Sequence, residues 1–205
     1  MSLLDALLLD PAPFNVWIAL RTDGLKGSGT ASDPYDGSTQ ARFDGAMLTI
    51  AAQFPGQKVA IHLGPGEFTT AGFAESGGNA WEIKAGMKIL GSGREVTILK
   101  RTTGSSSGYV LGHSLTSAAD YFEVCDLTMD CNLTTTPSGG ATSGAVRVLG
   151  NHVRIARVRA KNWGCSLTNG TCHVFAVITA NPPGIPFVAN CGMEGCIADA
   201  LTFAL

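Results

Sequence analysis

Phe122-Glu-Val-Cys-Asp-Leu-Thr-Met-Asp130 lies over Val153-Arg-Ile-Ala-Arg-Val-Arg-Ala-Lys161 without a gap when Phe122 is set on Val153. Val124, Leu127 and Met129 then fall on Ile155, Val158 and Ala160. The apolar positions alternate as in a strand, and both segments change phase at the same bend. Outward positions exchange sign: Glu123, Asp126 and Asp130 meet Arg154, Arg157 and Lys161. Parallel strands stacked about 4.8 Å apart would turn these matches into apolar columns inside and charge pairs outside. The expected fold is therefore all-β, a parallel β-helix in which each coil reproduces the core of the one before.

A second alignment sets Val188, Cys191 and Met193 over Ile155, Val158 and Ala160. It also sets Glu194 against Lys161 and extends the charged row to Asp130, Lys161 and Glu194. Leu63-Gly64, Leu90-Gly91, Leu111-Gly112 and Leu149-Gly150 form a degenerate repeat at unequal intervals. Such spacing suits a solenoid whose coils keep their strands while one turn accepts loops of differing length. Each of these glycines is expected at a corner with positive φ.

Upstream, Val16 to Leu20 is β-prone and Gly27 to Gly37 reads as a loop. After Ser38 and Thr39, either able to cap a helix, Phe43, Met47, Ile50 and Phe54 mark one apolar helical face ended by Pro55-Gly56. Such a helix would cover the open first coil, whose edge would otherwise invite aggregation. Residues 1–56 are thus expected to form strand, loop and capping helix, and 57–205 about five coils of one continuous domain.

Among 205 residues, 26 are Gly and only 15 % are charged, which favours tight turns and strands over long solvated helices. A net charge of −2 gives no general attraction to nucleic acid or to an anionic membrane. The first residues carry Asp5 and Asp10 within their apolar patches and no basic region, so no signal peptide is expected. No apolar run reaches the roughly 18–20 residues of a membrane span. A soluble chain is expected, with its compartment open. The six cysteines are read as free thiols, with Cys165 and Cys172 as the pair to join if the protein is exported, and no Cys/His cluster has zinc-ligand spacing. His62, His113, His152 and His173 are scattered and read as turn or solvated residues. Trp81, Tyr109, Tyr121 and Trp163 read as packing at turns, with stacking on sugar rings as the alternative.

Gly27-Ser-Gly-Thr-Ala-Ser-Asp-Pro-Tyr-Asp-Gly37, the helix after it, and Val59-Ala-Ile-His-Leu-Gly-Pro-Gly-Glu-Phe68 together resemble the opening of pectin-lyase-like β-helix proteins. Val146 to Ile155 and Val158 to Asn162 resemble their coils. The resemblance implies a right-handed parallel β-helix. It leaves the chemistry open, because the superfamily holds lyases, hydrolases, epimerases, tailspikes and proteins without known activity.

Its lyases use Arg or Lys as base at a site that neutralises substrate carboxylates, often through Ca²⁺ held by Asp and Glu. Carried onto this sequence, the resemblance makes Arg159 and Lys161 the candidate catalytic residues, and Asp126, Asp130 and Arg157 the candidate substrate-binding ones. A purely stabilising ion-pair ladder accounts for the same residues. Hydrolases of the family need paired carboxylates, for which Asp126 and Asp130 are the close pair in the coil region. With few coils, the expected function is a non-catalytic carbohydrate-binding or structural module; the alternative is a lyase or hydrolase acting on an acidic polysaccharide. No cofactor is expected, with Ca²⁺ considered only for a lyase, and a homo-oligomer is expected to cover the C-terminal solenoid edge.

Overall fold

A computed structural model describes residues 13–74, 81–102, 108–113, 118–134, 142–165, 174–178 and 192–200. The chain is mostly β-strand in parallel sheets, with one α-helix. In order it forms β1 (Phe14–Ala19), β2 (Tyr35–Asp36), α1 (Gln40–Gln53), β3 (Val59–Leu63), β4 (Gly66–Thr70), β5 (Met87–Leu90), β6 (Thr97–Arg101) and β7 (Gly108–Gly112). There follow β8 (Glu123–Cys125), β9 (Thr128–Asp130), β10 (Thr142–Leu149), β11 (Arg154–Ala156), β12 (Arg159–Cys165), β13 (Phe175–Ile178), β14 (Gly192–Glu194) and β15 (Ile197–Ala200).

From β3 onward the chain passes repeatedly from one parallel ladder to the next. The first runs β2-β1-β3-β5-β8-β11-β14, and the second runs β4-β6-β9-β12-β15. A third parallel ladder joins β7, β10 and β13, and touches the second where Ser143 pairs antiparallel with Gly164. Within each parallel ladder the paired residues come from successive layers, so like positions stack.

The register explains the core. On the first ladder Val16, Ile61, Ile89, Val124, Ile155 and Met193 form one column; on the second Phe68, Leu99, Met129, Ala160 and Ala198 form another. All but the two outermost, Met193 and Ala198, are buried. Full burial of an aliphatic side chain stabilises by about 1.5–3 kcal/mol, whereas an exposed ion pair contributes about 0.2–1 kcal/mol. The columns hold the layers together and the outer charges only help select the register. A slip by one residue would turn each column outward.

The alignment of Phe122–Asp130 with Val153–Lys161 is the observed register: Arg154 pairs with Glu123, Ile155 with Val124 and Lys161 with Asp130. The second alignment is displaced. Met193, not Val188, lies on Ile155; Glu194 lies on Ala156, and Asp199 rather than Glu194 on Lys161. The extra residues belong to the connection before β14. Val188 and Cys191 lie outside the described residues.

The Leu-Gly pairs do not mark equivalent corners. Leu63 and Leu90 end strands of the first ladder, while Leu111 and Leu149 belong to the third. None of the four glycines has positive φ. Three are required instead by close contacts: a Cβ on Gly91 would lie 2.2 Å from the Asp126 carbonyl oxygen, one on Gly150 2.6 Å from that of Ala119, and one on Gly112 2.8 Å from the Phe73 ring. The left-handed corners are elsewhere and are themselves stacked. Gly86, Tyr121 and His152 precede β5, β8 and β11; Asp126, Arg157 and Gly195 turn the chain from the first ladder to the second. Asn132 and Asn162 form a third such set. A side chain in this conformation costs about 1–2 kcal/mol. At the first corner the cost is offset by contacts between layers, with the Tyr121 and His152 rings stacked at 4.6 Å and Lys58 Nζ lying 5.1 Å from the centre of the Tyr121 ring.

Helix α1 forms where the periodicity places it. Thr39 caps it, its hydroxyl accepting the Arg42 N–H at 3.3 Å. Phe43, Met47 and Ile50 are buried, and the helix packs against β1, β2 and β4. Phe54 is half-buried and its ring meets that of Phe14 at 5.0 Å. Below the helix, Asp44 accepts hydrogen bonds from the Thr70 hydroxyl (2.6 Å), Trp81 Nε1 (2.9 Å), the Ala71 N–H (3.1 Å) and Gln40 Nε2 (3.2 Å). No helix among the described residues is long and apolar enough to cross a membrane.

Candidate functional site

The five nominated residues share one outer wall and the corner beside it. Asp126 and Arg157 occupy equivalent corner positions in successive layers. Asp130, Arg159 and Lys161 point outward from the second ladder, where Thr69, Lys100, Asp130, Lys161 and Asp199 form one column and Glu67, Ile98, Thr128, Arg159 and Ile197 the other.

Most of these charges are engaged. Arg157 grips Asp126 with two hydrogen bonds, Nε to Oδ1 and a terminal nitrogen to Oδ2, both 2.6 Å. Arg159 donates to Asp199 at 2.6 Å and to both oxygens of Glu95 at 3.1 and 3.2 Å. Asp130 does not reach Lys161, although the two face each other in register. Its carboxylate instead accepts the Asn132 N–H at 2.8 Å and Asn162 Nδ2 at 2.9 Å, fixing two left-handed corners. Lys161 makes no ion pair with a described residue. It is the one member of the nominated set without a charged or hydrogen-bonding side-chain partner among the described residues.

The electrostatics follow from these contacts. The Arg157 guanidinium holds the Asp126 carboxyl below the usual range, and Asp126 in turn raises Arg157. Arg159 is raised by Asp199 first and Glu95 second. On the adjoining first-ladder face, burial pushes Glu123 upward, but hydrogen bonds from Lys88 and Arg154 outweigh it and the group stays low. Burial pushes the Cys125 thiol up to about 12, so it is no nucleophile at neutral pH.

Among the described residues, no three His, Cys, Asp or Glu side chains come together in a way that could hold a metal ion. No protein family, characterised protein or solved structure matches the chain. The arrangement itself is therefore what speaks for its chemistry. A base must accept a proton, and Arg159, with its proton held by two carboxylates, is poorly suited. Asp126 is held through both oxygens by Arg157, whereas Asp130 accepts from Asn132 and Asn162 through Oδ1.

The sequence reading missed Glu95, Asp199 and Asn162. Glu95 lies in the loop between β5 and β6, which crosses the corner so that Arg94 donates to the Gly195 carbonyl at 3.2 Å and the Thr128 hydroxyl to the Arg94 carbonyl. Asp199 had a visible signal. In the observed register Gly195 falls on the left-handed Arg157, and Ile197-Ala198-Asp199 falls on Arg159-Ala160-Lys161. One histidine, His113, departs from the expected turn or solvated role, while His62 is half-buried. His113 is buried, its Nε2 accepting the Leu149 N–H at 3.0 Å, and the His62 ring stacks on Trp17 at 4.8 Å. Trp81 and Tyr109 are buried in packing. His173 and Cys172 lie outside the described residues.

These carboxyls carry a pH prediction. Asp126 and Glu123 titrate lower in the folded chain than in the unfolded one, where carboxyls titrate at about 3.9–4.3. Their stabilisation is present above the unfolded values and is lost as pH falls through the depressed folded values. The urea midpoint is expected to be flat between about pH 7 and pH 5 and to fall below about pH 4, less steeply in Asp126→Asn. A variant with an unchanged acid limb would show that the Asp126–Arg157 contact contributes nothing.

Proposed function

We propose that the chain is a right-handed parallel β-helix acting as a non-catalytic structural or carbohydrate-binding module. The β-helix reading is supported by the repeated passage of the chain between ladders and by left-handed corners that recur in successive layers. The observation that carries the absence of catalysis is the pairing of the wall: Arg157 is taken by Asp126, and Arg159 by Asp199 and Glu95. Such a surface offers an acidic glycan few uncompensated cations. Met193 continues the buried column of Ile155 yet is 57 % exposed, which favours a second copy of the chain as its cover.

The alternative, a lyase acting on an acidic polysaccharide, is favoured by Lys161 alone. Lys161 would have to be neutral and take the proton α to a uronate carboxylate; the glycosidic C–O bond at the β carbon would break, its oxygen leaving with the departing sugar and taking up a proton, and the new C=C bond would absorb in the near ultraviolet. The deciding assay offers polygalacturonate, alginate and a neutral glycan to the chain, with and without Ca²⁺. The expected result is no absorbing product, and any binding of the acidic glycans weakens as salt rises. An absorbing product that disappears in Lys161→Ala would overturn the non-catalytic reading.

A further inference from the structure

Gly45 has no structural reason to be glycine. It sits inside α1, where glycine is less favourable than alanine. Its φ is not in the left-handed region, and a Cβ built on it would meet no heavy atom within 4 Å. It borders a cavity. Gly24, Lys26, Tyr35, Asp36, Arg42 and Gly45 line this space of about 380 Å³, within the roughly 300–1,000 Å³ typical of small-molecule sites.

The charges around the cavity are unequal. Asp36 is buried and engaged by Arg42 and by the Ser38 N–H at 2.8 Å. Arg42 remains 45 % exposed with further N–H groups to offer. Lys26 is exposed and makes no ion pair with a described residue. Two cations against one carboxylate leave a single positive charge beside walls that include Tyr35 and the small residues Ala41, Gly45 and Ala46 of α1.

We propose that this cavity binds a small organic monoanion, a carboxylate carried on an apolar ring. Its carboxylate meets Lys26 and the free edge of Arg42, and its ring occupies the space beside Gly45 and Tyr35. The site lies at α1, away from the charged wall, and stands whether or not the wall binds glycan.

Calorimetric titration of the full chain at low salt tests this with benzoate, its neutral counterpart benzyl alcohol, and inorganic phosphate. Benzoate is expected to bind, with benzyl alcohol and phosphate each roughly tenfold weaker or more, since one charge-assisted contact or the burial of a ring is worth a factor of that order. Lys26→Gln should weaken benzoate about tenfold. Gly45→Leu, which fills the space, should abolish binding with a thermal midpoint at or above that of the parent. Gly45→Ala should raise the midpoint and weaken binding, which keeps the test decisive if the leucine variant does not fold. No benzoate binding, equal binding of benzyl alcohol or of phosphate, or undiminished binding in the folded Gly45 variants would each overturn the proposal.

Discussion

Asp44→Ala is expected to remove about 3–5 kcal/mol of stability, more than the loss of an exposed ion pair, because it strands several donors at once. The Thr70 hydroxyl, the Ala71 N–H and Trp81 Nε1 all point at this one side chain beneath α1. Trp81 keeps a second acceptor in the Thr70 hydroxyl at 3.1 Å, so the cost is below the sum of three independent losses. A buried donor left without an acceptor costs about 1–3 kcal/mol, and alanine supplies no oxygen. Asp44→Asn should lie between, since its one oxygen can still accept from Thr70 and Trp81 while its NH2 faces the Ala71 N–H. Urea unfolding checks the order, parent above Asn above Ala, with unchanged slope. Alanine within about 0.5 kcal/mol of the parent would mean that water replaces the carboxylate at no cost.

Met47→Asp is expected to cost about 4 kcal/mol or more, or to prevent folding, because the carboxylate would enter the apolar contact between α1 and the strands without a partner. Met47 is 1 % exposed, and its neighbour Leu48, turned toward solvent, is 51 % exposed. Leu48→Asp is therefore the matched control and should change stability by about 0.5 kcal/mol or less. Met47→Ala, which leaves a cavity instead of a charge, should cost about 2–5 kcal/mol and remains measurable if the aspartate variant does not fold. Equal effects at positions 47 and 48 would remove the helix from the core.

How much of this was legible in the sequence depends on what fixed each feature. The helix face was readable because Phe43, Met47 and Ile50 repeat at helical spacing behind a capping threonine. The layer pairing of β8-β9 with β11-β12 was readable because apolar position and charge agreed along the whole of both segments. The next layer was misplaced because the longer connection before β14 does not preserve the spacing, and Glu194 offered a tempting charge for Lys161. Left-handed Gly195 under Arg157 was the better marker, but a glycine in sequence does not announce its φ, and Arg157 hides the position in the layer before. The Leu-Gly pairs misled for a related reason, since glycine required by a neighbouring carbonyl looks the same as glycine required by a turn.

For the wall, residue types suggested a basic row, and geometry turned most of it into pairs. Arg159 finds Glu95 across the β5–β6 loop, a partner 64 positions away that no local pattern exposes. Asp130 is drawn to Asn132 and Asn162 rather than to the lysine beside it, because a left-handed corner presents an N–H two residues on.

The ion-pair wall, the core columns and the functional reading all rest on the parallel register of β9 with β12. It can be measured by cross-linking. In Asp130→Cys with Lys161→Cys the two positions are direct partners, and parallel neighbours about 4.8 Å apart fall within the roughly 4.4–6.8 Å that a disulfide spans. In Asp130→Cys with Arg159→Cys the second cysteine is displaced about 6–7 Å along the strand, which puts the pair beyond about 7 Å. Mild oxidation followed by peptide mapping should yield the 130–161 disulfide and not the 130–159 one. The opposite pattern, or neither bond, would contradict the register and the account built on it.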